Sequence, residues 1–270
     1  MNNRPTTGQI IGKAHKLCEW LRNGDASTFA GYSTISLAWA TEEATKWHVG
    51  DTEDLPANSE SVMRLIPLRL PAKTMLIETS AKILMADGRA EPGIGFILCH
   101  DNMNGEVDFF SFMHLMGRFN FTGGGRIIKH EQDGIPQVSP HIIPHAPKDY
   151  VDSIATVSSV VEMVLVLLSC TNIRSVDNVP PEPLNRKRQK AGKPPLFTYK
   201  TLHVLSGERN GSHTQQKDDE EARRSPRLHF RRGHVRRISD SQITWVQQCM
   251  VGNKRFGVVE KAYAIKHENP

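Results

Sequence analysis

The sequence has 270 residues, of which 38% are hydrophobic, and its mean hydropathy is negative. This composition supplies enough apolar side chains for a core and is typical of a soluble protein with long polar loops, which argues against a chain made mainly of membrane spans. A chain of this length forms one large domain or two small ones.

Charge is distributed unevenly along the chain. Residues 1–183 contain 15 Lys and Arg against 21 Asp and Glu, a net charge of −6, whereas residues 184–270 contain 19 against 8, a net charge of +11. We therefore predict an acidic body over 1–183 and a basic, β-rich module over 184–270 that faces a polyanion. Alternatively, the two parts neutralise each other across an interface.

Cysteine usage and the first residues predict the cellular compartment. The four cysteines are widely spaced without a Cys-x-x-Cys pair, and Met1–Thr7 contains no hydrophobic signal core. Scattered cysteines without a secretion signal are typical of buried thiols in a reducing cytoplasm. We expect a cytoplasmic protein, with one disulfide or a redox role as the alternative.

The N-terminal segments are predicted to be helical. Apolar residues at helical spacing, from Ile10 to Leu21, predict a helix over 7–23 that ends at Asn23-Gly24. Good helix formers predict a second helical region over 29–47. Residues 51–61 are polar, contain a proline and are predicted to be a loop.

Strand patterns begin at Val62. Residues 63–70 and 74–79 are predicted to be strands or the approaches to strands, and Pro67 argues against a central strand at that point. Residues 93–99 and 107–112 are predicted strands that a turn over 102–105 joins into an antiparallel hairpin. Gly123–Gly125 is interpreted as a flexible connection, because it has neither Walker-loop spacing nor a Gly-x-Gly-x-x-Gly pattern. Residues 136–147 contain four prolines and are predicted to be a loop.

The strongest helix prediction is residues 150–171, which are apolar nearly all round. A membrane span needs about 20 apolar residues. Asp152, Glu162 and two serines interrupt this run, so we predict a central core helix of the acidic body that packing holds in place.

Prolines break the chain at 179–183, and a basic segment follows. Its cations are Arg186, Lys187, Arg188, Lys190 and Lys193. They are predicted to follow a nucleic-acid backbone, which would make binding salt-dependent, and the alternative is a solvated linker. A predicted strand over 196–205 comes next, with Tyr199 and His203 on one face. If this strand pairs with the predicted strand over 227–238, either residue joins the site around His229 and His234.

The C-terminal tail is predicted to be β-rich. Residues 207–224 are polar and charged and are predicted to be a mobile loop. Three strands are predicted beyond it, over 227–238, 243–250 and 257–265, with turns at 239–241 and 252–254. Helices together with antiparallel strands predict an α+β fold.

The strand over 227–238 holds the densest group of side chains able to bind phosphate. Its apolar residues change parity, since Leu228 and Phe230 are even and Val235 is odd. A strand with one buried face changes parity only through an extra residue, so we predict a β-bulge at Gly233. The bulge would gather Arg227, His229, Arg231, His234 and Arg236 on one polar face.

This face has the groups that a metal-independent ribonuclease needs. His229 and His234 are predicted to be general base and general acid, one taking the 2′-hydroxyl proton and the other protonating the leaving oxygen. Arg231 and Arg236 would stabilise the developing negative charge. Arg227, Arg232 and Arg237 are predicted to bind phosphate. The alternatives are anion binding without chemistry and a solvated basic strand.

No metal site and no cofactor are predicted. His141 and His145, or His229 and His234, have the side chains that zinc prefers, but no cysteine lies near either pair. Prolines beside the first pair argue against a helix that would align its ligands, and the arginines around the second pair would repel a cation.

Three pieces of the chain resemble a family of uncharacterised bacteriophage and prophage proteins. They are residues 184–200, residues 225–236, and Trp245-Val246 followed by Val251-Gly252. The resemblance covers about the last third of the chain and implies expression in an infected bacterial cell. It transfers no activity and no catalytic residue.

The leading interpretation is a phage-encoded cytoplasmic protein that binds nucleic acid, with RNA favoured, through its basic module. In the most specific version of this interpretation, the protein also cleaves RNA without a metal ion. The alternative is a non-enzymatic host-takeover or inhibitor protein that binds an acidic bacterial protein complex through the same face. No membrane is expected as a partner, and the sequence does not indicate an oligomeric state.

Overall fold

The computed structural model of the chain describes residues 7–24, 34–51, 60–64, 66–84, 88–129, 136–140, 150–205, 227–231, 233–239, 241–246, 249–251 and 253–258. The fold is α+β, as the sequence predicts. The helices are α1 (Thr7–Asn23), α2 (Thr34–Glu43), α3 (Glu60–Met63), α4 (Tyr150–Ser169) and α5 (Glu182–Lys190). The strands are β1 (Thr45–Asp51), β2 (Thr74–Leu84), β3 (Ala90–Asp101), β4 (Glu106–Leu115), β5 (Arg118–Lys129), β6 (Pro136–Pro140), β7 (Ile173–Asn178), β8 (Tyr199–Val204), β9 (Arg227–Arg231), β10 (His234–Arg237), β11 (Ile243–Val246), β12 (Cys249–Val251) and β13 (Asn253–Val258).

Eight strands form a central sheet in the order β6-β5-β4-β3-β2-β1-β8-β7. β1 is parallel to β2 and β8, and all other neighbours are antiparallel. Two smaller sheets pair β10 with β11 and place β9 between β12 and β13. β8, from the predicted basic module, thus lies between β1 and β7 of the predicted acidic body, and the boundary at residue 183 stays a prediction.

Helices cover both faces of the central sheet. Along β2, Met75 and Ile77 pack on the side of α4, whereas Leu76 packs on the side of α1 and α2. Because successive strand residues point to opposite faces, a strand covered on both sides is apolar nearly throughout. The apolar runs 93–99 and 107–112 are strands of this kind, and their predicted hairpin is confirmed as β3–β4.

The predictions of α1 over 7–23 and of a core helix over 150–171 are confirmed. Ile154, Val161 and Val164 of α4 are fully buried against the sheet. Among the described helices, none combines the length and hydropathy that a membrane crossing requires.

The helical region predicted over 29–47 is wrong at its C-terminal end. α2 ends at Glu43, and Trp47 lies in β1 instead. β1 pairs with β2 on one edge and β8 on the other, and Trp47 is buried on the α4 side. Pairing and burial on this scale override local helix propensity.

Of the described residues in 63–70, none belongs to a strand, so that prediction is wrong. α3 ends at Met63, and Pro67 lacks the N–H that a sheet ladder needs. Lys129 Nζ donates a hydrogen bond of 2.9 Å to the Met63 carbonyl and joins the end of α3 to β5.

The three consecutive glycines are not a flexible connection but lie inside β5. Gly123 follows the bulged residue Thr122, where the β4–β5 register shifts, and has a φ of 130° that favours glycine. At Gly125, a Cβ would lie 2.9 Å from the Ser139 carbonyl oxygen and 3.2 Å from Ile154 Cγ2. The missing side chain therefore lets β6 and α4 approach the strand closely.

Several sequence predictions fall on residues that the structure does not describe. These are the loop over 207–224, most of the loop over 51–61, residues 141–147 and residues 259–265. In the described part, β6 occupies the start of the loop predicted over 136–147, and β13 lies earlier than the strand predicted over 257–265.

Candidate nucleic-acid interface

The basic segment predicted as a nucleic-acid contact forms helix α5. Pro183 is accommodated in the first turn, Glu182 lies at the positive N-terminal end, and three cations lie in the last turn, as the helix dipole favours. Gly192, with a φ of 66°, ends the helix. Its N–H donates to the Gln189 carbonyl (3.0 Å) and the next N–H to the Arg188 carbonyl (2.9 Å), which is a Schellman cap.

α5 presents its cations to solvent, and none of its residues is buried. Arg186 pairs with Glu182 at 2.6 Å, and Arg188 Nε donates to the Pro194 carbonyl at 3.0 Å. On α5 and the segment just after it, the exposed ammonium groups without an acidic partner among the described residues are those of Lys187, Lys190 and Lys193. These three residues, called the lysine patch below, are available to an external anion.

The segment after α5 is fixed against the α1–α2 side of the sheet. Asn185 pairs with the Leu196 backbone in both directions, at 2.7 and 3.3 Å. Phe197 packs beside His15 of α1 and carries Lys46 Nζ 4.0 Å above its ring centre. Burial, and then the nearby Arg188 charge, lowers the pKa of His15. α5 is therefore held next to α1.

The arginine–histidine segment is not one bulged strand but two strands in different sheets. β9 pairs with β12 and β13, whereas β10 pairs with β11, and the break falls at Arg232-Gly233. A Cβ on Gly233 would lie 2.4 Å from Trp245 Cζ2, so the chain there runs directly against the indole. The parity change marks this break, and the strand predicted over 243–250 is likewise split into β11 and β12.

The β10–β11 hairpin is attached to the end of α4. The Asn172 side chain makes two hydrogen bonds to the Trp245 backbone, each of 2.8 Å. Its Nδ2 donates to the Trp245 carbonyl, and its Oδ1 accepts from the Trp245 N–H. The Thr171 N–H donates to the Ile243 carbonyl at 3.0 Å. Ile243 is buried in the core on the α4 side, and Val235 and Trp245 pack against that core. The inner face of the hairpin is thereby fixed.

His234 and Arg236 lie on the opposite, outer face of β10 from Val235. Arg231 Nη2 lies 3.2 Å from His234 Nε2. A guanidinium only donates, so this imidazole nitrogen accepts and carries no proton in the contact. The structure therefore brings together Arg231 and His234, with the exposed Arg236 two residues further along the strand.

The other predicted site residues are placed less closely. Arg237 donates to the Ser239 carbonyl at 3.1 Å. The backbone of β9 places Arg227, His229 and Arg231 on one face, but the side chains of Arg227 and His229, and all of Arg232, lie outside the described part of the chain. The lysine patch and the Arg231–His234 contact lie on opposite sides of the central sheet, because one is fixed to the α1–α2 side and the other to the α4 side.

Tyr199 and His203 do not join this site through strand pairing, since β8 pairs with β1 and β7. Tyr199 is buried and its hydroxyl donates to Glu78 Oε2 at 2.7 Å. Glu78 is 0% exposed, and burial raises its pKa to about 8. This pair is not evident from the sequence, because 121 residues separate its two members.

A pocket beside Phe197 is likewise not evident from the sequence. It encloses about 290 Å³ between the end of α2, β1 and the segment before β8, and Lys46, Asp177 and Lys200 line it. Lys200 binds Asp177 at 2.6 Å, and burial lowers the pKa of Lys46. Both lysines are thus engaged within the protein.

The described residues contain no group of three or more His, Cys, Asp or Glu side chains arranged to hold a metal ion. His141 and His145 lie outside those residues.

One family model matches the chain. It is described as AcrVA2-like, anti-CRISPR type V subtype A2 family, and it matches residues 51–239. The match extends far beyond the C-terminal module, includes α5 and the Arg231–His234 contact, and ends before Trp245. No curated protein and no solved structure matches the chain.

Proposed function

Since the chain belongs to the AcrVA2-like family of type V anti-CRISPR proteins, we propose that it inhibits a bacterial type V CRISPR system by binding one of its components directly in the bacterial cytoplasm. The observation that carries the proposal is the match over 51–239, which runs from the end of β1 to the β10–β11 turn. It supports the host-takeover interpretation of the sequence over the nuclease, and it agrees with the resemblance to phage proteins.

The lysine patch is the surface proposed to make this contact. CRISPR effectors carry a guide RNA, whose phosphates are a polyanion that exposed lysines bind. Lys187, Lys190 and Lys193 are exposed on or just beyond a helix that ends in a Schellman cap and whose return segment is fixed to α1. A rigid support removes the cost of ordering the backbone on binding, so that only the lysine side chains have to be ordered.

Replacing all three lysines of the patch by alanine is expected to weaken binding to the guide-RNA-loaded effector roughly threefold to 150-fold, because each exposed ion pair contributes about 0.2–1 kcal/mol. The slope of log affinity against log salt should fall by about 2, as expected for three lost contacts to single-stranded phosphate. Affinity measured by interferometry at several salt concentrations tests both effects.

A matched control removes three exposed cations that lie outside the patch, Lys73, Arg89 and Arg118. That variant should keep its affinity. Equal weakening in both variants would show that net charge, not the patch, determines binding. Undiminished binding by the patch variant would assign the contact to another surface.

RNA cleavage is a second candidate function, favoured by the 3.2 Å contact between Arg231 and His234. In this proposal an imidazole base removes the 2′-hydroxyl proton, the oxygen attacks phosphorus, and an acid protonates the departing 5′ oxygen. His229 is proposed as the second histidine, and Arg231 and Arg236 as the phosphate-stabilising groups.

Incubation of the protein with total bacterial RNA in EDTA tests this second function. The wild type is expected to cleave, His234→Ala to bind without cleaving, and Arg231→Ala to do both less well. RNA that stays intact with the wild-type protein would exclude cleavage and leave the inhibitory-binding proposal unaffected.

A further inference from the structure

β7 is an open edge of the central sheet. It pairs with β8, and no second strand pairs with it among the described residues. Residues 174–177 are exposed, and Val176 and Val179 are 39% and 71% exposed. The opposite edge strand, β6, begins and ends in proline, which blocks added strands, whereas β7 contains no proline.

The ladder with β8 shows which backbone groups of β7 point outward. The Leu205 N–H donates to the Asn172 carbonyl at 2.8 Å, so Asn172 faces β8. The Val176 carbonyl also faces β8, since it accepts from Thr201 Oγ1 of that strand at 3.5 Å. Facing alternates in an antiparallel strand, so the N–H and C=O groups of Ser175 and Asp177 point away from the sheet.

The β7 sequence is complementary to itself when two copies run antiparallel about Val176. Ser175 then lies opposite Asp177 of the second copy, and the two residues exchange backbone hydrogen bonds. On either side, Arg174 lies opposite Asn178 and Ile173 opposite Val179. Apolar residues thus meet apolar residues, and a hydroxyl meets a carboxylate.

Two other antiparallel registers also set outward-facing residues opposite each other, but their pairs are less favourable. A pairing centred on Ser175 completes only the Ser175–Ser175 pair, because both flanking pairs need the Ile173 N–H, which already donates to the Cys170 carbonyl at 3.2 Å. It also places Ile173 opposite Asp177. The register centred on Val176 completes two Ser175–Asp177 pairs without the Ile173 N–H. A pairing centred on Arg174 sets two guanidinium groups against each other.

We propose that β7 is a homodimer interface, through which two copies of this chain form one continuous sheet with a two-fold axis at Val176. The contact is a single strand pair, smaller than the interfaces of permanent dimers, so association is expected in the micromolar range. The inference is independent of the inhibitory function, because it uses only the sheet edge.

Cysteine cross-linking tests the register. In a background with Cys249→Ser, Val176→Cys is expected to form a disulfide-linked dimer under mild oxidation, because directly opposed residues without mutual hydrogen bonds have Cα atoms about 4.5 Å apart. Arg174→Cys is the matched control. Its two copies are offset by about four residues, roughly 13 Å, which is beyond disulfide reach. Equal cross-linking of both variants, or none in Val176→Cys, would overturn the proposal.

Sedimentation of the wild-type chain between about 1 and 200 μM should show a monomer–dimer equilibrium in the expected range. Ser175→Pro removes an outward N–H without touching the ladder to β8 and should abolish the dimer while leaving the circular dichroism spectrum unchanged. If that variant fails to fold, Val176→Lys, which opposes two ammonium groups, replaces it. A wild type that stays monomeric, or a folded variant that still dimerises, would disprove the interface.

Discussion

Gly125→Ala is expected to lower the free energy of unfolding by about 2–3 kcal/mol, the upper part of the range for overpacking a core. The added carbon would lie 2.9 Å from the Ser139 carbonyl, 3.1 Å from Phe109 Cζ and 3.2 Å from Ile154 Cγ2. A backbone carbonyl in a paired strand cannot move away cheaply, so β6 or α4 has to shift. Urea unfolding followed by circular dichroism measures the loss.

Gly95→Ala is the matched control, since Gly95 is also a buried glycine of the central sheet. Its nearest neighbour to an added Cβ is a side-chain hydroxyl, Thr79 Oγ1, at 3.0 Å. Because this contact is with a side chain and not with the backbone, a shift of a few tenths of an ångström relieves it, and the change should cost less than about 1 kcal/mol. Equal stability of Gly125→Ala and the wild type would mean that α4 and β6 do not pack on β5 as tightly as these distances require.

Gly125 also shows which part of the fold could not be predicted from the sequence. Helical spacing identified α1 and α4, and apolar runs identified the β3–β4 hairpin, because those signals come from the element's own residues. The glycines of β5 and the strand β1 depend on what packs against them. Ile154, which needs the space at Gly125, lies 29 residues away, and no local pattern reveals that contact.

The candidate site was predictable to the same extent. The parity change at Gly233 correctly indicated a discontinuity, but its form, a break between two sheets, depends on Trp245 lying against the glycine. The charges of α5 were evident, whereas its helical state depends on the Schellman cap at Gly192 and on Asn185 binding the Leu196 backbone. The residues of α5 determine its charge, whereas the fold determines how the helix that carries this charge is held in place.

Glu78 is expected to make the stability of the protein fall as pH rises from about 4.5 to about 8. Burial raises its folded-state pKa to about 8 from an ordinary value of 4.5. Below 4.5 both the folded and unfolded states hold the proton. Between the two values only the folded state holds it, so each pH unit costs up to about 1.4 kcal/mol, and the total loss is of order 5 kcal/mol. Above about 8 both states are ionised and this loss stops growing.

Glu78→Gln isolates that contribution, because the amide stays neutral at every pH and still offers an oxygen to the Tyr199 hydroxyl. The variant and the wild type should have similar stability at pH 5, and the variant should be more stable by roughly 5 kcal/mol at pH 9. Other buried titrating groups, such as His15 and His48, are common to both proteins and cancel in the difference. The same substitution at the half-buried Glu91 should change stability by less than about 0.5 kcal/mol. Parallel pH profiles for wild type and Glu78→Gln, measured by urea unfolding, would show that the carboxyl of Glu78 does not retain its proton in the folded protein.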